Sequence, residues 1–364
     1  MKRRSFLSYY LLVVLFLFPL FFFPLFRDPF VLGKNLFLIF SALLGLVIWA
    51  LTLWQNPETK LKLCYLDGFF VLLSVYLTGY LFFLKTGNRY DALLSQPAVG
   101  SFWALTVLFF LLGQVFSKRD SKLLLKTLGF SAAIISLINV LLFVLPDSRF
   151  PLVLGKLITI GGPLWSPLGS TLESVWLLLP LLVYLITNLV LKVNREGELA
   201  DWLSFVLSLV LLVGLAAGIY QLFQLSFPLL DQRTSWVIAA ESFKRQPLFG
   251  VGPGRFAEAF TLFKPASFNL TDYWNFRFIR ASGFYLQWWT ELGLVGLGLL
   301  LWLVLGLGKK VKEKSLPLRL SWGVLFLLPL FLPSSLIFPF LLFFSLVTFA
   351  FCNLVLVCAI YLLC

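Results

Sequence analysis

The sequence of 364 residues contains no histidine and only four cysteines. The cysteines lie in or beside apolar segments, without the C-x-x-C spacing of redox or zinc motifs: Cys64, Cys352, Cys358 and Cys364. We therefore expect neither disulfides nor a metal site. Because histidine is missing, proton transfer in any reaction would fall to other side chains, and carboxylates are the first candidates.

Nucleotide-binding motifs are also missing. The chain is rich in glycine from Gly250 to Gly254, but no Gly-Lys-Ser/Thr follows. The spacing G-x-G-x-x-G is absent there, and no strand is predicted before it. These are the features by which phosphate-cradling loops of ATP and dinucleotide sites are identified. The sequence therefore predicts no nucleotide cofactor.

What the sequence has in abundance is apolar residues. It is 60% hydrophobic and 18% aromatic, with a mean hydropathy of +0.96. A spanning helix needs about 20 apolar residues. The composition predicts an all-α, polytopic transmembrane helix bundle that forms one domain over residues 1–364. Ten apolar segments are predicted as spans: 5–26, 35–54, 64–84, 98–117, 123–145, 168–191, 202–226, 284–307, 318–332 and 336–362.

The formal net charge of +13 is distributed unevenly between the predicted loops. Lys and Arg concentrate in loops on one side of the ten segments, which predicts that both termini face the cytoplasm. The basic start of the chain and the long apolar run after it predict an uncleaved first span. In a membrane chain, the basic excess points to lipid headgroups or an anionic substrate rather than to nucleic acid.

One long segment, 229–283, is predicted to lie outside the membrane as a large extracytoplasmic loop with short amphipathic helices. Thr234 or Ser235 is predicted to cap the first helix, which runs to Arg245. Gly254 is predicted to open the second helix, whose free N–H groups could attract phosphate. An ordinary turn between the two helices is the alternative.

The following span begins with two polar side chains. Gln287 and Glu291 are four residues apart and share one helix face. Gly293 and Gly296, further along the span, are predicted to allow close helix packing. Glu173 lies just inside the sixth predicted span, where a carboxylate is costly unless it faces protein or water.

Residues 230–305 carry a family resemblance. The segments PLFGVGPGRF (247–256) and YLQWWTELGLVGLGLLL (285–301) resemble the signature of the O-antigen ligase and O-antigen polymerase superfamily. Arg233 before Trp236 and the segment SPLGSTLES at the sixth span add to the likeness. Members of this superfamily are polytopic enzymes that assemble bacterial surface polysaccharides.

The resemblance implies an enzyme of the bacterial cytoplasmic (inner) membrane that works at the outer face. It would transfer or polymerise a glycan carried on polyprenyl pyrophosphate. The acceptor would be a glycan, a lipid or a protein, and neither metal nor cofactor would be needed. Arginines would stabilise the leaving pyrophosphate. The alternative is a non-catalytic binder or carrier of polyprenyl-linked glycans, or a degenerate family member.

The sequence departs from the family at the position of its usual histidine, which here is Ser282, followed by Gly283. Candidates for the base in place of histidine are Glu291, Asp272 and Glu173. Candidates for binding the pyrophosphate or glycan are Arg233, Arg280, Arg277, Lys34, Arg89, Gly250, Gly252, Gly254 and Gln287.

Overall fold

The computed structural model describes residues 5–24, 26, 28–55, 61–63, 65–83, 93, 99–116, 120–145, 149–153, 157–161, 164–196, 202–224, 229–312, 315–349 and 354–356. Helices dominate this part of the chain, and the all-α prediction is confirmed. Their bounds are α1 Phe6–Leu20, α2 Val31–Gln55, α3 Tyr65–Phe83, α4 Val99–Val115, α5 Ser121–Val144, α6 Thr171–Glu196, α7 Trp202–Gln224, α8 Gln232–Arg245, α9 Phe256–Phe263, α10 Phe284–Lys312, α11 Leu316–Leu327 and α12 Ile337–Phe349. Arg89 and the four cysteines lie outside the described residues.

Five of the described helices are long and apolar enough to cross a bilayer. The spanning stretches are Val31–Gln55, Ser121–Val144, Thr171–Val193, Trp202–Gln224 and Phe284–Gly306. A helix satisfies its backbone hydrogen bonds internally, which a segment in hydrocarbon requires. The chain is therefore an integral membrane protein. The count of ten spans and the orientation of the termini stay predictions.

The helices pack around one apolar core. α5 packs against α7, α7 against α6, and α6 against α11, while α4 contacts α2, α3 and α12. Trp176 and Phe18 are among the largest fully buried side chains of this core. Its outer surface is apolar as well, as the largely exposed Phe40 and Phe223 illustrate. Apolar side chains on both faces are typical of helices that contact lipid.

α5 and α7 are in close contact at a glycine. A Cβ on Gly214 would lie 1.8 Å from Ser136 Oγ and 2.6 Å from Ser136 Cα. The Ser136 hydroxyl donates to the Val210 carbonyl oxygen at 2.7 Å. Small residues at such a crossing let two backbones come together where no hydrophobic effect drives association.

Short strands accompany the bundle. Arg149–Val153 pairs with Leu157–Gly161, and Leu61–Leu63 pairs with Leu354–Leu356, both antiparallel. The tenth apolar segment, predicted as a span over 336–362, is helical only over Ile337–Phe349 among its described residues. That prediction was too long, because an apolar run alone does not distinguish a helix from a strand.

The long segment 229–283 contains two short helices, as predicted, and a 3₁₀ turn at Ala266–Leu270. It has its own small core, in which Ile238, Phe256 and Phe260 are buried. The predicted cap of α8 was wrong. Asp231 is the cap, because its carboxylate accepts from the N–H groups of the two residues after Gln232 at 3.1 and 3.2 Å.

Candidate functional site

α10 is broken one third of the way along its length. Gly293 has φ 58° and ψ −149°, which is not helical. The break deprives Thr290 and Glu291 of donors for their carbonyl oxygens, and Leu294 and Val295 of acceptors for their N–H groups. Inside a membrane, each such unsatisfied group would cost several kcal/mol, on the order of a lost hydrogen bond in hydrocarbon.

The glycine-rich stretch supplies all four missing partners. Leu294 and Val295 donate to the carbonyl oxygens of residues 247 and 248 at 2.9 and 3.1 Å. Val251 and Gly252 donate to the carbonyl oxygens of residues 290 and 291 at 3.0 and 2.9 Å. We term residues 247–252 and 290–295 the backbone clasp. It joins the long segment to the break in α10.

The clasp explains its own glycines. A Cβ on Gly293 would lie 2.7 Å from the Gly250 nitrogen and the Pro247 oxygen. A Cβ on Gly250 would lie 2.6 Å from the Thr290 oxygen. Both glycines have positive φ, which other L residues rarely adopt. The prediction that Gly293 serves helix packing therefore needs correction, because this glycine interrupts the helix.

Two tyrosines of α3 support the clasp. The Tyr80 hydroxyl donates to the Gly250 carbonyl oxygen at 2.9 Å, and the Tyr76 hydroxyl donates to the Leu292 carbonyl oxygen at 3.3 Å. Sequence reasoning missed both residues. Their spacing of four on an apolar helix is a signal that could have found them, since two hydroxyls on one face need partners.

The glycine N–H groups are engaged within the protein. Gly250 N donates to the Gln246 carbonyl oxygen at 3.0 Å, and Gly254 N donates to Glu291 Oε2 at 2.9 Å. Together with Gly252 N, all three predicted phosphate-binding glycines have acceptors in the chain itself. Their observed contacts are structural, and a role in substrate binding stays a prediction.

Glu291 is fully buried at the centre of the clasp region. Its Oε1 accepts from Gln287 Nε2 at 2.9 Å, while its Oε2 accepts from Gly254 N. Gln287 in turn accepts from the Ser334 hydroxyl at 2.6 Å through Oε1. A carboxylate with donors on both oxygens, sealed from water, fits a structural link between α10 and the start of α9.

Glu173 is the centre of a second set of polar contacts, next to the set around Glu291. Its Oε1 accepts from Arg280 Nη1 at 2.7 Å, and its Oε2 lies 3.3 Å from the Ser335 hydroxyl. Lys34 is 1% exposed, interacts electrostatically with Glu173, and donates to the Pro167 carbonyl oxygen. Arg280 is less buried, with 23% of its side chain exposed.

Ser334 and Ser335 are adjacent, so the two sets meet at this pair. We term the connected side chains the polar network: Lys34, Glu173, Arg280, Gln287, Glu291, Ser334 and Ser335. Five of them were predicted as site residues. The two serines, which lie between the ninth and tenth predicted spans, were not predicted as site residues, although two hydroxyls between long apolar runs are themselves a signal that partners are needed.

Other predicted site residues lie apart from this network. Asp272, Arg277 and Arg233 are exposed. Among the described residues, no hydrogen bond or ion pair joins their side chains to Glu173 or Arg280. Ser282, at the family's histidine position, donates its N–H to Ser235 Oγ at 3.0 Å.

The chemistry available to the polar network is anion binding. A guanidinium carries five N–H donors, and the contact with Glu173 uses Nη1 of Arg280. The partly exposed Arg280 can therefore bind a second anion while the carboxylate holds it in place. Within the described ranges, no group of three or more His, Cys, Asp and Glu residues is placed to hold a metal ion.

A substitution at Glu291 tests whether this residue is a structural link or a catalytic base. Glu291→Gln keeps the shape but offers only one acceptor to two donors, so we expect the free energy of unfolding to fall by ~1–3 kcal/mol. Thermal unfolding of the purified protein in detergent measures this change.

The matched control is Glu258→Gln. Glu258 also accepts from an N–H donor, Arg255, but its side chain is 40% exposed, so the expected change is below ~1 kcal/mol. An unchanged unfolding temperature in Glu291→Gln, together with lost turnover, would assign Glu291 to the reaction instead.

Comparisons of the chain with protein-family models, with curated proteins and with solved structures found no match.

Proposed function

We propose that the chain transfers or polymerises a glycan carried on polyprenyl pyrophosphate, at the outer face of a bacterial cytoplasmic membrane. The observation that carries this proposal is the convergence of residues distant in sequence. Glu173 and Arg280 are 107 residues apart and form an ion pair. Glu173 lies in the segment SPLGSTLES, and Arg280 lies within residues 230–305, which carry the resemblance to the O-antigen ligase and polymerase superfamily.

Arg280 has the properties of a side chain that binds pyrophosphate. Its guanidinium is fixed by a carboxylate and partly exposed, and Lys34 adds a second cation near the same carboxylate. Negative charge grows on pyrophosphate as the bond to the sugar breaks. Fixed cations stabilise that charge more strongly in the transition state than in the ground state.

Glu173 is the favoured base among the three carboxylates predicted for that role. Glu291 is fully buried, whereas 10% of the Glu173 side chain is exposed, and Asp272 lies on the surface outside the polar network. In the proposed reaction, the acceptor oxygen forms a bond to the anomeric carbon, and the bond from that carbon to pyrophosphate breaks. The acceptor proton passes to Glu173, and the lipid pyrophosphate leaves.

A turnover assay tests the proposal. The purified protein in nanodiscs is incubated with a polyprenyl-pyrophosphate oligosaccharide and candidate acceptors, and released polyprenyl pyrophosphate is measured. We expect release that depends on the acceptor. Binding of the lipid without any release, across all acceptors, would contradict transfer and favour a non-catalytic binder. The absence of histidine is the observation that favours this alternative.

A further inference from the structure

A groove lies against α10, on a different face from the polar network. It has a volume of about 340 Å³ and is lined by α8, α10 and the 3₁₀ turn Leu328–Leu330, which follows α11. We term it the lateral groove; its lining includes Gln232, Trp236, Tyr285, Leu286, Trp289 and Leu330. Leu286 and Trp289 face the groove, whereas Gln287 and Glu291 face the polar network.

The lining fits a hydrocarbon chain better than a sugar. Leu286, Leu297, Pro329 and Leu330 offer only carbon to an occupant. Sugar sites need several polar groups that converge on hydroxyls, and here the amide of Gln232 stands among mainly apolar and aromatic neighbours. Trp236 and Trp289, whose rings are 5.2 Å apart, are of the type that sits at the boundary between lipid and water.

A cation follows one of the groove-lining residues of α8 in the sequence: Arg233 comes directly after Gln232. Arg233 precedes Trp236 by three residues and Gln232 precedes it by four, so each of them neighbours Trp236 on the surface of α8. Arg233 is exposed. Its charge complements a lipid phosphate whose chain occupies the groove, since juxtamembrane cations attract anionic headgroups.

We propose that the lateral groove binds one anionic glycerophospholipid of the surrounding bilayer, with its phosphate at Arg233 and an acyl chain between α8 and α10. This site would be separate from the glycan-transfer site and does not depend on the proposed function. The lipid would occupy the space between α8 of the long segment and the first half of α10.

Native mass spectrometry of the purified, delipidated full chain tests this site with four probes: phosphatidylglycerol, phosphatidylcholine, inorganic phosphate and polyprenyl phosphate. We expect one tightly bound phosphatidylglycerol. Arg233→Gln should weaken its binding about fivefold, with phosphatidylcholine binding unchanged. Leu330→Trp, which fills the groove from a side chain that is 44% exposed, should weaken both lipids.

The matched control is Arg245→Gln, which removes an exposed arginine from the other end of α8. It should bind phosphatidylglycerol as the wild type does. Equal weakening in this control would overturn the proposal in favour of diffuse surface charge. Displacement of the lipid by inorganic phosphate would reduce the site to an anion site. Preferential displacement of phosphatidylglycerol by polyprenyl phosphate would overturn the proposal and mean that the groove binds the glycan donor.

Discussion

Gly293→Ala is expected to abolish accumulation of the folded protein. The added Cβ would lie 2.7–2.8 Å from three backbone atoms of residues 247–250, and backbone atoms cannot swing aside as the end of a side chain can. The positive φ adds strain for any L residue. We expect the free energy of unfolding to fall by more than ~4 kcal/mol. Losses of this size are exceptional among point mutations, and strain at a special backbone conformation is one of their causes.

The same helix offers a matched control. A Cβ on Gly298 would have no atom within 4 Å, so Gly298→Ala should be neutral or stabilise by up to ~1 kcal/mol through helix propensity. Fluorescence-detected size exclusion of detergent extracts, followed by thermal unfolding, compares the two variants. Wild-type yield and unfolding temperature in Gly293→Ala would mean that the backbone clasp is not formed.

The second large effect is expected at the ion pair of Glu173 and Arg280. Arg280→Gln takes the nearest cation from a carboxylate that is 10% exposed and leaves it the interaction with Lys34, so we expect a loss of ~2–3 kcal/mol in the free energy of unfolding, below the cost for a fully buried pair. The substitution should also lower glycan transfer by a factor of about 10²–10³, as for loss of a donor to a developing anion.

A double variant separates the two effects. Glu173→Gln with Arg280→Gln removes both charges of the pair, and the buried Lys34 then loses its interaction with Glu173, so the unfolding temperature should recover in part while transfer stays low. The control pair, Glu241→Gln with Lys244→Gln, removes an exposed bridge whose side chains are 43% and 69% accessible and should alter neither property. Transfer at the wild-type rate in the double variant would remove both residues from the mechanism.

The sequence was sufficient for the helices but not for the break in α10. Long apolar runs predicted the spanning helices, because a bilayer requires helical length and hydrophobicity together. Gly293 lies within such a run, and its positive φ depends on a partner stretch some forty residues earlier. The pattern of residues around Gly293 cannot show that a distant stretch of backbone will satisfy the interrupted hydrogen bonds.

Five members of the polar network were predicted from the sequence, but the way in which they pair was not. Glu173 and Gln287 stood out because polar groups in apolar spans are costly. That Glu173 pairs with Arg280, while Glu291 meets the N–H of Gly254, depends on how the helices pack. For the same reason, the exposed Arg233 could not be distinguished from Arg280 by sequence alone.

The backbone clasp also constrains how the protein is made. A nascent chain that has released only the first part of α10 into the bilayer would carry its interrupted peptide groups in hydrocarbon. Residues 247–252 must already be on the correct side of the membrane to meet them. Placement of the long segment and insertion of α10 are therefore coupled in the assembly of the protein. Quality control during biogenesis would detect its failure as an unstable span rather than as a misplaced loop.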